Sequence, residues 1–379
     1  MLKLVDFHRC LSQNHQRQRL IGHDRTDPDT QRLLDQMNRG FEEEIVVHMG
    51  IRMFALARLC QPSDFEDLDA FAQRIEARDV PETFLRAWDD FLVRFGCRGP
   101  LEMELRSPRY GDSSKLLLRQ MSFMAGIPAA EDPAHTHARN IAQRKRAYVE
   151  LRRRSNWLRR VQLRMAHGWI ETYAGERDTP KHSIVVVVGL LRRKVLALGK
   201  TLHASGRLDA QEDVFHLTLA ELERAETDPS FDPRPIAHER EHAFRRIETQ
   251  VTEFPLLIDS RGRIQRPSPE NGGRGALQGL GISPGVASGP IKVLRNPYEK
   301  DIQPGDVIVA YTTDPGWTPL FINAAAIILQ IGGMMQHGGV VAREYGKPCV
   351  VGIEHALTRF PDGQIVEVNG NTGTIRELK

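Results

Sequence analysis

At 379 residues, with 27% charged and 40% hydrophobic, the chain has an ordinary soluble composition and the length for two or three domains. A formal net charge of +3 is too small to point to a nucleic-acid partner. Cys10, Cys60, Cys97 and Cys349 are scattered with no CxxC pair, which argues against a zinc site or a disulfide framework and fits a reducing cytoplasm.

The N-terminus lacks the apolar core of a signal peptide, and the longest apolar run, residues 184–191, falls far short of the roughly 20 residues that cross a bilayer. A cytoplasmic protein with no membrane partner is expected. From about residue 30 to about residue 250, apolar residues recur at three and four positions, as in FEEEIVVHMGIRMFALARLC (41–60) and PETFLRAWDDFLVRFG (81–96), which predicts a mostly helical half. FGCRGPLEMELRSPRYGD (95–112), rich in Gly and Pro, predicts a structured loop between helices. The Arg-dense stretch 143–164 reads as a solvated helix face rather than a nucleic-acid contact.

Further on, Thr179 followed by Pro180 reads as a helix N-cap and first-turn pair. That would put Arg177 just ahead of a helix start and Lys181 in its first turn, so that two cations and a helix N-terminus converge as a phosphate receptor. The following run IVVVVGLL (184–191) is expected to pack in the helical core.

SRGRIQRPSPENGGRGALQ (260–278) has almost no periodic apolar signal and reads as a linker. A flexible segment of about 20 residues spans roughly 25 Å on average, enough for a following domain to move between two sites. The expected division is a helical domain over 1–258, a linker over 259–278 and a compact β-rich domain over 279–379. In that last part the β-branched runs DVIVAY (306–311), AIILQI (326–331), PCVVGI (348–353) and QIVEVNG (364–370) predict strands.

Between two of those strands lies GGMMQHGGVVAREYG (332–346). A strand running into Gly332 and Gly333, then a short helix closing at Gly346 in the left-handed conformation, places His337 at a helix start. There the first-turn N–H groups and the helix dipole would stabilise a phosphoryl group on the imidazole. Gly332, Gly333, Gly338 and Gly339 read as residues that clear side chains from the approach to it.

GISPGVASGP, TDPGWTPLF, GGMMQHGGVVAREYGKPCVVG and DGQIVEVNGNTGTI resemble, in order and spacing, the swivelling phosphohistidine domain of the phosphoenolpyruvate-utilising enzymes, over about residues 280–379. The resemblance implies an α+β multidomain protein, with His337 as the phosphorylated residue and Thr313, Asp314, Arg343 and Glu344 around it. That family usually has Ser or Thr just before the histidine; here Gln336 and, before it, Met335 stand there. Gln336 can orient an imidazole through a hydrogen bond but cannot be phosphorylated, so regulation by phosphorylation at that position is not expected.

FGCRGPLEMELRSPRYGDSSKLL, GERDTPKHSIVVVVGLLRRKVLALGKTL and GRLDAQEDVFHLTLAEL are similar, more loosely, to the substrate domain of the rifampicin phosphotransferases, over about residues 80–260. This second resemblance implies a small hydroxylated acceptor and gives Arg177 and Lys181 the charge-neutralising role near the histidine. Pyruvate is not expected as acceptor, because no alternation of strands and helices long enough for a (β/α)8 barrel occurs. Nor is there a GxxxxGK loop or room for a nucleotide-binding sheet. ATP and magnesium are therefore expected to act through an ATP-grasp domain or subunit supplied elsewhere, with no metal site in this chain. The alternative is a non-catalytic phosphocarrier or interaction protein with a degenerate acceptor site.

Overall fold

A computed structural model describes residues 27–128, 132–250, 257–258, 260–265, 277–333 and 336–378. Helices α1 (Pro28–Gln36), α2 (Ile45–Ala57), α3 (Leu68–Glu76), α4 (Glu82–Phe95), α5 (Ser114–Ala125), α6 (Pro133–Arg154), α7 (Trp157–Ala174) and α8 (Thr179–Ala204) come first, followed by α9 (Leu219–Thr227) and α10 (Arg234–Gln250). Side-chain caps set the starts of α3, α5 and α6: Asp67 accepts from the N–H groups of Asp69 and Ala70, Ser113 from Leu116, and Asp132 from Ala134. The period-3.6 pattern then buries one face, as Phe84, Leu85, Trp88, Phe91 and Phe95 do on α4.

Two of the expectations for this half are overturned. Thr179 is not an N-cap: it has helical dihedrals, and a 3-10 turn over Gly175–Asp178 carries the chain from α7 directly into α8. With helical backbone on both sides of Thr179, no free helix N-terminus faces a phosphate there. Nor is the run 184–191 packed in a core: Val185 and Gly189 are buried, but Ile184, Val187 and Leu191 are each more than half exposed.

The chain divides into two compact units, one comprising the described residues up to Glu102 with Pro108–Ser183 and those from Leu277 onward, the other Met103–Ser107 and the described residues from Ile184 to Gln265. In the second unit Leu202, Val214, Leu222, Ala225 and Ala237 form the core. Arg207 ties its loops together by donating to the carbonyls of Ala225, Asp228 and Phe231. Of the expected linker, residues 259 and 266–276 lie outside the described residues.

In the first unit a sheet follows the helices. Its strands are β3 (Leu277–Gln278), β4 (Leu280–Ser283), β5 (Val286–Leu294), β6 (Val307–Ala310), β7 (Ala326–Leu329), β8 (Cys349–Val351), β9 (Ile365–Asn369) and β10 (Thr374–Glu377); β1 (Leu257–Ile258) and β2 (Ile264–Gln265) pair apart from it, in the second unit. The order is β3-β10-β9-β5-β6-β7-β8-β4, parallel from β5 through β8 and antiparallel on both flanks. Every residue of β6 and β7 is buried, as continuous β-branched runs covered on both faces should be. The protein is α+β.

Helices α11 (Thr318–Asn323), α12 (His337–Glu344) and α13 (Ala356–Arg359) connect the strands. Leu320 and Phe321 on α11, Val341 on α12 and Tyr345 just beyond it share one core with Met49, Met53, Phe91 and Leu117 of α2, α4 and α5. The histidine-bearing element is thus packed on the helical part of its own unit. Among the described residues, no helix is long and apolar enough to cross a membrane.

Candidate functional site

His337 is the first residue of α12, half-buried, with Gln336 as N-cap in extended backbone and Gly346 closing the far end at φ 67°. The expected strand–glycine–helix arrangement is therefore present. The Gln336 side chain does not cap α12, and a helix start is a point that favours an anion. His337 Nε2 lies 3.3 Å from the hydroxyl of Thr318, a fully buried residue at the start of α11. Gln336 does not take that role, because its side-chain amide donates to the Thr312 hydroxyl. Met335 lies outside the described residues.

The glycines divide by cause. A Cβ on Gly333 would meet nothing within 4 Å, so this position is open. One on Gly332 would fall 2.7 Å from Val351, on Gly338 2.4 Å from the Thr313 hydroxyl, and on Gly339 2.5 Å from Ile282. Those three are small because α12 packs tightly on its own domain, not to admit a donor, and Thr313 belongs to that packing.

Asp314 caps the short turn Pro315–Trp317, accepting from Gly316 N–H at 2.8 Å, and its other oxygen accepts from Leu101 N–H at 2.9 Å. Burial pushes its carboxyl upward against the pull of these two donors. Leu101 holds a φ of 46°, a strained backbone for a branched side chain, at the point where its loop meets the Asp314 turn that leads into Thr318. Behind it Lys181 Nζ pairs with Glu102 Oε1 at 3.0 Å, and Asp314 feels the charges of both. The side chain of Arg177 lies outside the described residues. Arg343, buried, donates to the Ile282 carbonyl at 2.8 Å, which ties α12 to β4. Glu344 also turns inward and bonds to α6 and Gly40 instead of forming a surface pair.

His337, Thr318, Asp314, Leu101, Glu102 and Lys181 are thus linked through one turn and one loop. Thr318 and Glu102 escape a reading by motif: the first sits in a TP pair that looks like a helix start, the second in a loop whose Gly and Pro dominate.

Residues 302–373 match the family described as "PEP-utilising enzyme, mobile domain", and residues 12–178 match the "Rifampicin phosphotransferase fourth domain". The chain is a member of the phosphoenolpyruvate-utilising enzyme family. Rifampicin phosphotransferases of Streptomyces sviceus and Bacillus cereus are 28% and 26% identical to it, over 88% and 91% of this chain. A "Prodigiosin synthesizing transferase PigC" of Serratia marcescens is 27% identical over 75% of this chain. The chain spans 40%, 41% and 32% of the lengths of these relatives.

Among the described residues, no three His, Cys, Asp or Glu side chains gather to hold a metal ion. Thr318→Val keeps the shape of a buried side chain but deletes the hydroxyl on Nε2. It is expected to slow phosphorylation of His337 by phosphoramidate about fivefold, the equivalent of one hydrogen bond of about 1 kcal/mol. Loading at the wild-type rate, followed by 31P NMR, would mean that this hydroxyl does not orient the ring.

Proposed function

We propose that this chain is the phosphoryl-carrying and acceptor-binding part of a dikinase-type phosphotransferase. The observation that carries the reading is a half-buried imidazole at the first position of α12, held at Nε2 by Thr318, beside a turn joined to the loop that pairs with Lys181. In the first step an imidazole nitrogen attacks phosphorus and the P–O bond to the donor breaks. In the second an acceptor hydroxyl oxygen attacks, the P–N bond breaks, and the hydroxyl proton returns to the imidazole. ATP, bound with magnesium by an ATP-grasp unit in another segment or chain, would supply the β-phosphoryl: breaking its bond to the α-phosphate releases AMP, and water cleaving its bond to the γ-phosphate releases phosphate.

Arg177 and Lys181 neutralise charge on the transferring group at the acceptor station. The sheet domain moves between the two stations, carrying with it Leu277 and Gln278, which pair with β10. Similarity of both halves to rifampicin phosphotransferases supports a hydroxylated small molecule as acceptor. Trp157, Val161, Met165, Trp169 and Tyr173 recur every fourth residue on α7 and are exposed, which supports a lipophilic one.

Phosphoramidate, a P–N donor that phosphorylates imidazoles unaided, tests the carrier directly. The loaded chain, offered a library of hydroxylated aromatics, is expected to yield a phosphate ester in step with loss of phosphohistidine. Release of inorganic phosphate alone across the library would favour a carrier without an acceptor site.

A further inference from the structure

Arg98, Glu102 and Arg109 are charged residues of one loop, each no more than 2% exposed. Glu102 is shared between two cations, with Oε2 2.7 Å from Arg98 Nε and Oε1 3.0 Å from Lys181 Nζ. Arg109 donates to the Glu102 carbonyl at 2.9 Å, which fixes the backbone that carries the carboxylate. Arg98 also lies 3.2 Å from His182 Nδ1. A guanidinium only donates, so that ring is neutral with its proton on Nε2. Three groups of the loop and two of the first turn of α8 thus form one connected set.

Lys181 carries its ammonium on a flexible four-carbon stem and is partly exposed, so its position is not set by its own packing. Glu102 holds its ammonium at 3.0 Å, and Asp314, anchored to the same loop through Leu101 N–H, is near enough to feel the lysine's charge. Asp314 already accepts from Leu101, and an ammonium drawn onto it would compete for that oxygen.

We propose that Glu102 is a positioning residue for phosphoryl transfer: it holds the Lys181 ammonium on the loop, beside the Asp314 turn that leads into Thr318, and keeps it off Asp314. This rests on the reading that Lys181 serves the transferring phosphoryl group. The strained Leu101 fits such a device, since the same short segment presents its N–H to Asp314 and the next carboxylate to Lys181. Arg98, buried on the other oxygen, fixes the Glu102 carboxylate in place.

Glu102→Ala would strand a buried guanidinium and could unfold the loop, so the test uses Glu102→Gln, of equal shape, and Glu102→Asp, of equal charge. In the full chain, acylation by acetic anhydride, read by mass spectrometry, is expected to rise about tenfold at Lys181 in Glu102→Gln. Lys115, paired with Asp69, is expected to react as in wild type, and Glu102→Asp to keep Lys181 protected. After loading with phosphoramidate, Glu102→Gln is expected to pass its phosphoryl group to phenol about tenfold more slowly at saturating phenol, with half-saturation unchanged and Glu102→Asp recovering most of the rate. Equal Lys181 acylation in wild type and Glu102→Gln overturns the proposal, and so does transfer at the wild-type rate. A wild-type chain that takes nothing from phosphoramidate defeats the carrier reading instead, and the acylation result, which needs no phosphoryl group, tells the two failures apart.

Discussion

His337→Ala is expected to lose the fast-forming phosphohistidine that phosphoramidate gives in the wild-type chain, leaving only slow labelling of other exposed imidazoles, while unfolding within about 1 kcal/mol of wild type. The two halves of that expectation have separate causes. Fast uptake is lost because the alanine methyl has no lone pair with which to form a P–N bond. Stability is nearly kept because the ring is only half-buried, and its bond to Thr318 is long at 3.3 Å. Alanine is moreover the best helix former, and position 337 opens α12. The label in the wild-type chain should be acid-labile and stable to base, the signature of a phosphoimidazole. Undiminished labelling of His337→Ala would place the phosphoryl group on another histidine and refute the assignment.

Much of this site was legible in the sequence because it is local. A strand, a glycine pair, a short helix and a left-handed Gly346 follow one another within a short stretch of chain, and each step has its own residue signature. The helical half was legible for the same reason, through the apolar period of α2 and α4. What could not be read was set by contacts distant in the chain. Nothing near Gly338 says that its missing Cβ makes room for Thr313, or near Asp314 that its second oxygen is taken by Leu101. The strand β5 was hidden by its own composition, since Gly289 and Pro290 look like a turn yet pair with Val366 and Ile365 of β9. Thr179 misled in the opposite sense. A Thr-Pro pair has the chemistry of a helix start, but the preceding 3-10 turn keeps the backbone helical and leaves no terminus to cap.

Glu344→Ala is expected to destabilise the chain by roughly 3 kcal/mol. Glu344 ends α12 and is 1% exposed, which is rare for a carboxylate and tolerable only with partners. Those partners lie in the helical part of the unit. Gly40 N–H donates to Oε1 at 2.7 Å, and His137 on α6 stands 3.5 Å from Oε2. Asn140 donates to the Glu344 carbonyl at 2.7 Å and would survive the substitution. Removing the carboxylate leaves the buried Gly40 donor without its acceptor and empties the space beside the His137 ring. The neighbourhood cannot relax to fill the gap, because Gly40 sits at φ 75° with its Cα against the α6 backbone at Asn140. Glu344→Gln keeps an oxygen for Gly40 and should lose about half as much. Urea unfolding separates the cases, and a Glu344→Ala midpoint equal to wild type would mean that these contacts do not hold α12 on the helices. Under the proposed mechanism the same contacts must break each time the histidine leaves the acceptor station. A polar anchor that water can replace suits repeated release better than further apolar area would, since exposed carboxylate and N–H groups regain hydrogen bonds to solvent.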